Sequence, residues 1–303
     1  MKKFYYLSLA VMLILVVALT GCGGGNSGNP GGNPDNPGGG TNGIAVTFQS
    51  VIQTGGTSGS ADSAALTFTF SIDPSTLSAD NITVTGATKG ALSGIGTTRS
   101  LAISDITVAN GATVSVSITS PAGYSISGSP KTAVVYRLLT IGMDYQGGKI
   151  GYILQPDDPG YDANVPHGLI AAIADQSIGI SWALIAFSST AVPGGTSQTF
   201  GTGSSNTDKI IAQNGAGTGY SAGLARLYNG GGYTDWYLPS LNELHKLYFN
   251  SVAVGISNDT YYWSSSEVNN HYAYLGCMFK SGFEYQSDTK DNKPNRVRAV
   301  RSF

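Results

Sequence analysis

Leu238-Pro239-Ser240-Leu241-Asn242-Glu243-Leu244 is the stretch that decides how the second half of this chain folds. Ser240 and Glu243 stand at the spacing where a serine hydroxyl and a glutamate carboxylate each satisfy an orphan N–H at a helix start. Leu241, Leu244, Leu247 and Tyr248 then recur at helical intervals, which predicts an apolar helix face running to about Asn250. Upstream, a second helical stretch is expected from Asn206-Thr207 to Gln213, resuming after Gly219 through Ala222, Ala225 and Tyr228. Gly230-Gly231-Gly232 ends it. Around these helices strands are expected at 138–144, 149–155, 261–266, 273–279 and 295–302. A few helices set among mixed strands read as an α+β domain over 138–303.

The preceding segment, 44–137, follows another rule. Leu66, Phe68 and Phe70 alternate with Thr67 and Thr69, and the same period of two recurs at Ile82/Val84, Leu101/Ile103, Ile106/Val108 and Val114/Val116/Ile118. Each run is bounded by Gly, Asn, Asp or Pro, the pattern of short strands in an all-β sandwich. Pro74 and Ser75-Thr76-Leu77-Ser78 interrupt one strand with a turn. Charges balance here and no catalytic constellation is visible, so a spacer or stalk is the expected role.

The chain opens differently again. Lys2 and Lys3 precede an almost unbroken apolar run from Phe4 to Leu19, about the length of a signal h-region and short of the roughly 20 residues that a spanning helix needs. Residues 1–21 are therefore read as a signal peptide. The ending Leu19-Thr20-Gly21-Cys22 resembles the bacterial lipobox, which implies that Cys22 is lipidated and anchors the chain to membrane lipid; a plain secretory signal with an incidental cysteine is the alternative. Residue 23 is Gly rather than the Asp that resemblance to enterobacterial lipoproteins links to inner-membrane retention, so in an organism with an outer membrane an outer-membrane or cell-surface location in the envelope is expected. From Cys22 to Gly43 the sequence is Gly, Asn and Pro-rich with nothing to bury, and reads as a tether.

Composition narrows the partners. The chain has 42 glycines, 11% charged residues and a formal charge of −2, which suits a loop-rich exported protein. Nothing resembles the basic stripe that nucleic-acid binding requires, so no nucleic-acid partner is expected. Cys277 is the only other cysteine. Lying in the apolar run Leu275-Gly276-Cys277-Met278-Phe279, it is expected to be buried and inert.

The second half also resembles a known family. Ile150-Gly151-Tyr152-Ile153-Leu154, Val165-Pro166-His167-Gly168-Leu169-Ile170-Ala171-Ala172 and Gly232-Tyr233-Thr234-Asp235-Trp236-Tyr237-Leu238-Pro239-Ser240 look like the Lcl C-terminal domain family. Tyr262-Trp263-Ser264-Ser265-Ser266 and Arg296-Val297-Arg298-Ala299-Val300-Arg301 complete five blocks in order over about 138–303. The resemblance implies a fold similar to C-type lectins. In the adhesin that names the family it implies binding of sulfated polysaccharide and formation of a homotrimer. The 44–137 segment resembles, in turn, the cysteine-free Ig-like modules of bacterial surface proteins. Fold class is thus expected to be an Ig-like sandwich followed by a C-type-lectin-like α+β domain.

Two sets of candidate ligand residues follow. Asn269-Asn270-His271-Tyr272 is a polar and aromatic loop of the kind lectin sites use, and equally a plain turn. Near the C-terminus, Lys280, Lys290, Lys293, Arg296, Arg298 and Arg301 outnumber Glu284, Asp288 and Asp291, giving a local charge of +3 in a domain of −3. Lys290, Lys293, Arg296 and Arg298 are taken from this group as candidates for holding a sulfate or carboxylate, since arginine pairs such groups bidentately. The plainer reading of Arg296 and Arg298 is the solvated or ion-paired face of a terminal strand.

No metal or cofactor is expected. Asp157, Asp158, Asp162 and Asn164, or Asp288, Asp291, Asn292 and Asn295, could supply oxygens to Ca2+. Neither set carries the Glu-Pro-Asn or Trp-Asn-Asp signatures of calcium lectins, and turn chemistry explains both. The histidines at 167, 245 and 271 lack zinc spacing, and no nucleophile elbow or phosphate loop is present. The expected function is non-catalytic: a lipid-anchored surface protein whose lectin-like head adheres to glycans or other surface ligands. The alternative is a structural or assembly lipoprotein that binds an envelope protein.

Overall fold

Alternating burial, as read from the sequence, builds the first part of the structure, a computed structural model that describes residues 43–279 and 282–303. Eight strands come first: β1 (Ile44–Thr54), β2 (Ala65–Phe70), β3 (Ile82–Thr85), β4 (Thr88–Ser93), β5 (Thr98–Ser104), β6 (Thr113–Ile118), β7 (Tyr124–Ser127) and β8 (Lys131–Val134). They form one sheet in the order β4-β5-β2-β1-β7 and another in the order β3-β6-β8. All neighbours are antiparallel except β1 and β7, which run parallel from Ile44↔Tyr124 to Thr47↔Ser127.

Phe48, Leu66, Phe68, Phe70 and Leu101 of the first sheet share one apolar core with Ile82, Val114 and Val116 of the second. The rings of Phe48 and Phe68 meet edge to face at 5.5 Å, and those of Phe48 and Phe70 stack at 5.4 Å. Each such buried side chain contributes roughly 1.5–3 kcal/mol by removing its apolar area from water. Arg99 is buried at the rim, where Nη2 meets Asp73 Oδ1 at 2.5 Å and Nη1 donates to the Gly96 carbonyl at 2.6 Å. Ile106 is buried, but Ile106 and Val108 lie in a loop rather than the expected strand.

The second part carries β9 (Asp144–Tyr145), β10 (Gly148–Ile153), β11 (Gly168–Ala172), β12 (Tyr261–Glu267), β13 (Tyr272–Phe279), β14 (Gly282–Thr289) and β15 (Val300–Ser302). Its helices are α1 (Gly203–Asn214), α2 (Ser221–Arg226) and α3 (Leu241–Tyr248). The strands form a sheet of order β15-β11-β10-β9 and a hairpin sheet β12-β13-β14, and Trp182, Trp236 and Trp263 are all fully buried in one core with residues of α1 and α2. The described chain is therefore mostly β with few helices, and no helix among the described residues is long and apolar enough to cross a membrane.

The helix start expected at Ser240 forms as a capping box. Ser240 Oγ accepts from Glu243 N at 3.3 Å while Glu243 Oε2 accepts from Ser240 N at 2.7 Å. The other oxygen of this fully buried carboxylate accepts from Gly201 N at 3.1 Å and from the Tyr237 hydroxyl at 3.3 Å. Gly203 must lack a side chain, because a Cβ there would lie 2.2 Å from Glu243 Oε2.

Two strand expectations are corrected. Of 138–144 only Asp144 enters a strand, because Gly142 turns the chain with a φ of 83° and its N–H bonds back to the Ile150 carbonyl. Of 295–302 only Val300–Ser302 forms a strand. Arg296 and Val297 make single bridges to Tyr262 and Ser177, so this segment switches partners every residue or two.

Candidate ligand-binding groove

Cross-strand register lines up one face of the hairpin sheet in rungs. Tyr261, Cys277 and Glu284 share the first rung, Trp263, Leu275 and Gln286 the second, and Ala273 and Asp288 the third. Opposed residues in antiparallel strands present their side chains to the same face. After β14 the chain returns across the sheet through residues 290–295 and comes alongside β12, where Arg296 N donates to the Tyr261 carbonyl at 2.9 Å. Asn295 and Asn292 fasten that return by donating to Asp288 Oδ2 at 2.9 and 2.7 Å.

Where the returning chain leaves the face uncovered, a cavity of about 530 Å³ remains. Tyr261 and Leu275 give it apolar surface, and Gln286, Asp288, Asn295 and Arg296 give it polar groups. Ile178, 75% exposed, stands on its rim. Tyr261 packs edge-on against Phe279 at 5.9 Å, and burial, then the neighbouring Cys277 and Glu284, push its phenol above the ordinary value. An aromatic ring beside amides, a carboxylate and a guanidinium suits a ligand that has both a C–H face and hydroxyl groups.

Of the residues taken as ligand candidates Arg296 lines this cavity, beside Asp288 and Asn295 from the second oxygen cluster. Its Nη1 meets Asp175 Oδ2 at 2.8 Å, which raises the guanidinium pKa further above its ordinary value. Arg298, behind it and 3% exposed, donates from Nε to Asp175 Oδ1 at 2.7 Å and from Nη1 and Nη2 to the Ala172 and Gly255 carbonyls. The Tyr262 hydroxyl adds a third contact to Asp175 at 3.1 Å. Arg296 and Arg298 thus converge on one acid, and Arg298 is turned inward.

Lys290 departs most from expectation. It is 0% exposed, its ammonium pairs with Glu267 and donates to the Thr190 carbonyl at 2.9 Å, and it lies 5.0 Å from the centre of the Trp182 ring. Such a cation is part of the interior and offers nothing to a ligand, so Lys290 leaves the candidate set. Lys293 is exposed on the returning loop. Asn269, Asn270, His271 and Tyr272 form the turn between β12 and β13, where Asn269 Oδ1 accepts from His271 N at 2.8 Å and Tyr272 N at 3.0 Å. That turn lies at the opposite end of β12 from Tyr261. The structure does not bring it together with Arg296.

A scan against protein-family models gives no match, and a search of curated proteins gives none. Among solved structures, a fimbrial protein from Bacteroides ovatus is similar over 85% of this chain and 70% of its own, at 14% identity and a TM-score of 0.35.

Carboxylates of both oxygen clusters accept hydrogen bonds from within the chain. Asp158 is engaged by Lys246 at 2.8 Å and by the Tyr152 hydroxyl at 2.5 Å, and Asp162 accepts from Asn164 N at 2.7 Å. Among the described residues no group of three or more His, Cys, Asp or Glu could hold a metal ion. Cys277 is buried. The leader, Cys22 and the tether to residue 42 lie outside the described residues. Tyr261, Ile178 and Gln286 were missed by sequence reading, although the period of two in Tyr261, Trp263 and in Glu284, Gln286, Asp288 signals a shared face once the strands are paired.

Proposed function

We propose that the chain is a lipid-anchored, non-catalytic bacterial surface protein whose residues 138–303 form a C-type-lectin-like, glycan-binding head of the Lcl C-terminal domain type. In this reading Cys22 is the lipidated anchor, the segment to Gly43 is the tether, and the 44–137 sandwich is an Ig-like spacer in the outer membrane or on the cell surface. The observation that supports glycan binding is the cavity of about 530 Å³ in which Tyr261 stands beside Gln286, Asp288, Asn295 and Arg296. Sugars present a C–H face that packs on aromatic rings and hydroxyls that pair with amides and carboxylates. Binding of the full chain to a glycan array tests the reading. Retention on at least one glycan, competed by the soluble sugar, is expected; a folded chain that binds none sinks it.

A second reading rests on a different surface. Phe249 and Val252, 68% and 83% exposed, follow α3 beside a half-exposed ring cluster in which His245 stacks on Phe283 at 4.6 Å. An exposed aromatic edge of this kind fits a contact with an envelope protein. In-cell cross-linking from residue 252 that recovers one stoichiometric partner would favour this assembly role over adhesion.

A further inference from the structure

Two of the cations near the groove, Arg298 and Lys290, are already matched within the chain. Arg298 directs Nε, Nη1 and Nη2 to Asp175, Ala172 and Gly255, and Lys290 is sealed against Glu267. Arg296 reaches the cavity with Nη1 already on Asp175, and Lys293 stands in solvent and is not part of the lining. The groove itself holds Asp288, and Glu284 lies on the same face, near enough to Tyr261 for its charge to bear on the phenol.

A sulfate entering here would approach the Asp288 carboxylate, with Glu284 further along the same face, and its only cationic wall among the described lining residues is an arginine with one nitrogen engaged. Bidentate recognition of an oxyanion needs two parallel N–H groups, and an unmatched anion in a partly desolvated groove is costly. A neutral sugar meets neither difficulty. Its hydroxyls donate to Asp288, accept from Gln286 or the remaining edge of Arg296, and its C–H face lies on Tyr261 and Ile178. Resting on the glycan reading above, we propose that this groove selects uncharged saccharides and turns away their sulfated forms.

The test uses matched polymers. The full chain is titrated at physiological salt with dextran, mannan and galactan, each neutral and chemically sulfated. At least one neutral polymer is expected to bind about tenfold more tightly than its sulfated partner. Tyr261→Ala and the exposed Gln286→Ala should each weaken that binding about fivefold or more. Glu284→Lys should raise binding of the sulfated form severalfold without loss of the neutral one. Tighter binding of the sulfated polymers, neutral binding that ignores both alanine substitutions, or sulfated binding that ignores Glu284→Lys overturns the proposal. Failure of every polymer to bind instead removes the glycan reading itself.

Discussion

Arg298 Nε lies 2.7 Å from Asp175 Oδ1, across 123 residues of sequence, and ties the C-terminal segment to the loop that follows β11. The same carboxylate receives Arg296 and Tyr262, so one acid organises the wall behind the groove. Removing it strands a buried guanidinium. Asp175→Ala is expected to cost about 3–5 kcal/mol in urea denaturation, the range for breaking one side of a buried pair. Asp175→Asn, which keeps an acceptor, should cost less. A loss below about 1 kcal/mol for the alanine variant would contradict the assignment.

Lys290 and Glu267 should behave as a coupled unit. Lys290→Met leaves Glu267 buried and unpaired and is expected to cost about 3–5 kcal/mol. Adding Glu267→Gln removes the stranded charge while an amide oxygen still accepts from Val192 N, so the double variant should recover at least about 1 kcal/mol. A double-mutant cycle by chemical denaturation reads the coupling; simple additivity would argue against it.

The cap of α3 should show graded losses. Ser240→Ala removes one acceptor and is expected to cost about 1 kcal/mol. Glu243→Ala strands the donors of Ser240 and Gly201 in the interior, at about 1–3 kcal/mol each. The second variant should therefore be clearly the less stable by thermal denaturation, and equal losses would refute the account.

Acid sensitivity has an identifiable source in Asp158. Burial works to raise its pKa, but hydrogen bonds from Lys246, Tyr152 and the Gln155 N–H outweigh it and hold the group below 3.8. A depressed native value means that the unfolded chain takes up the proton first as pH falls. The stability Asp158 contributes is present above about 3.8 and is lost as pH drops through the lower folded value. Asp158→Asn should accordingly melt below the wild type at neutral pH, with the gap closing below about pH 3.8. Asp235, also held low by Arg301, acts in the same direction but is half in solvent, so Asp235→Asn should shift less.

Local spacing made some of this legible in advance. Ser240 and Glu243 announce a helix because their partners are each other, three residues away. Leu66, Phe68 and Phe70 announce a strand because alternation needs no knowledge of what lies opposite. Lys290 could not be read so: its acid is 23 residues back and its aromatic neighbour lies in another segment, so a buried cation looked like a surface one. The groove was hidden for a related reason. Tyr261, Gln286 and Arg296 come from three segments, and only strand register and the return of the chain after β14 place them together.

The parallel pairing of β1 with β7 bears on how the protein carries load. A pull on Ile44 away from Ser127 draws these neighbours in opposite directions along their length. Hydrogen bonds that lie across the pull, from Ile44↔Tyr124 to Thr47↔Ser127, must then give way together rather than one at a time. Strands arranged to unzip from one end yield to small forces; strands loaded in shear do not. A tug from beyond Arg137 reaches this pair only through β8, whose own ladder to β6, from Thr113↔Val134 to Val116↔Lys131, takes the load first.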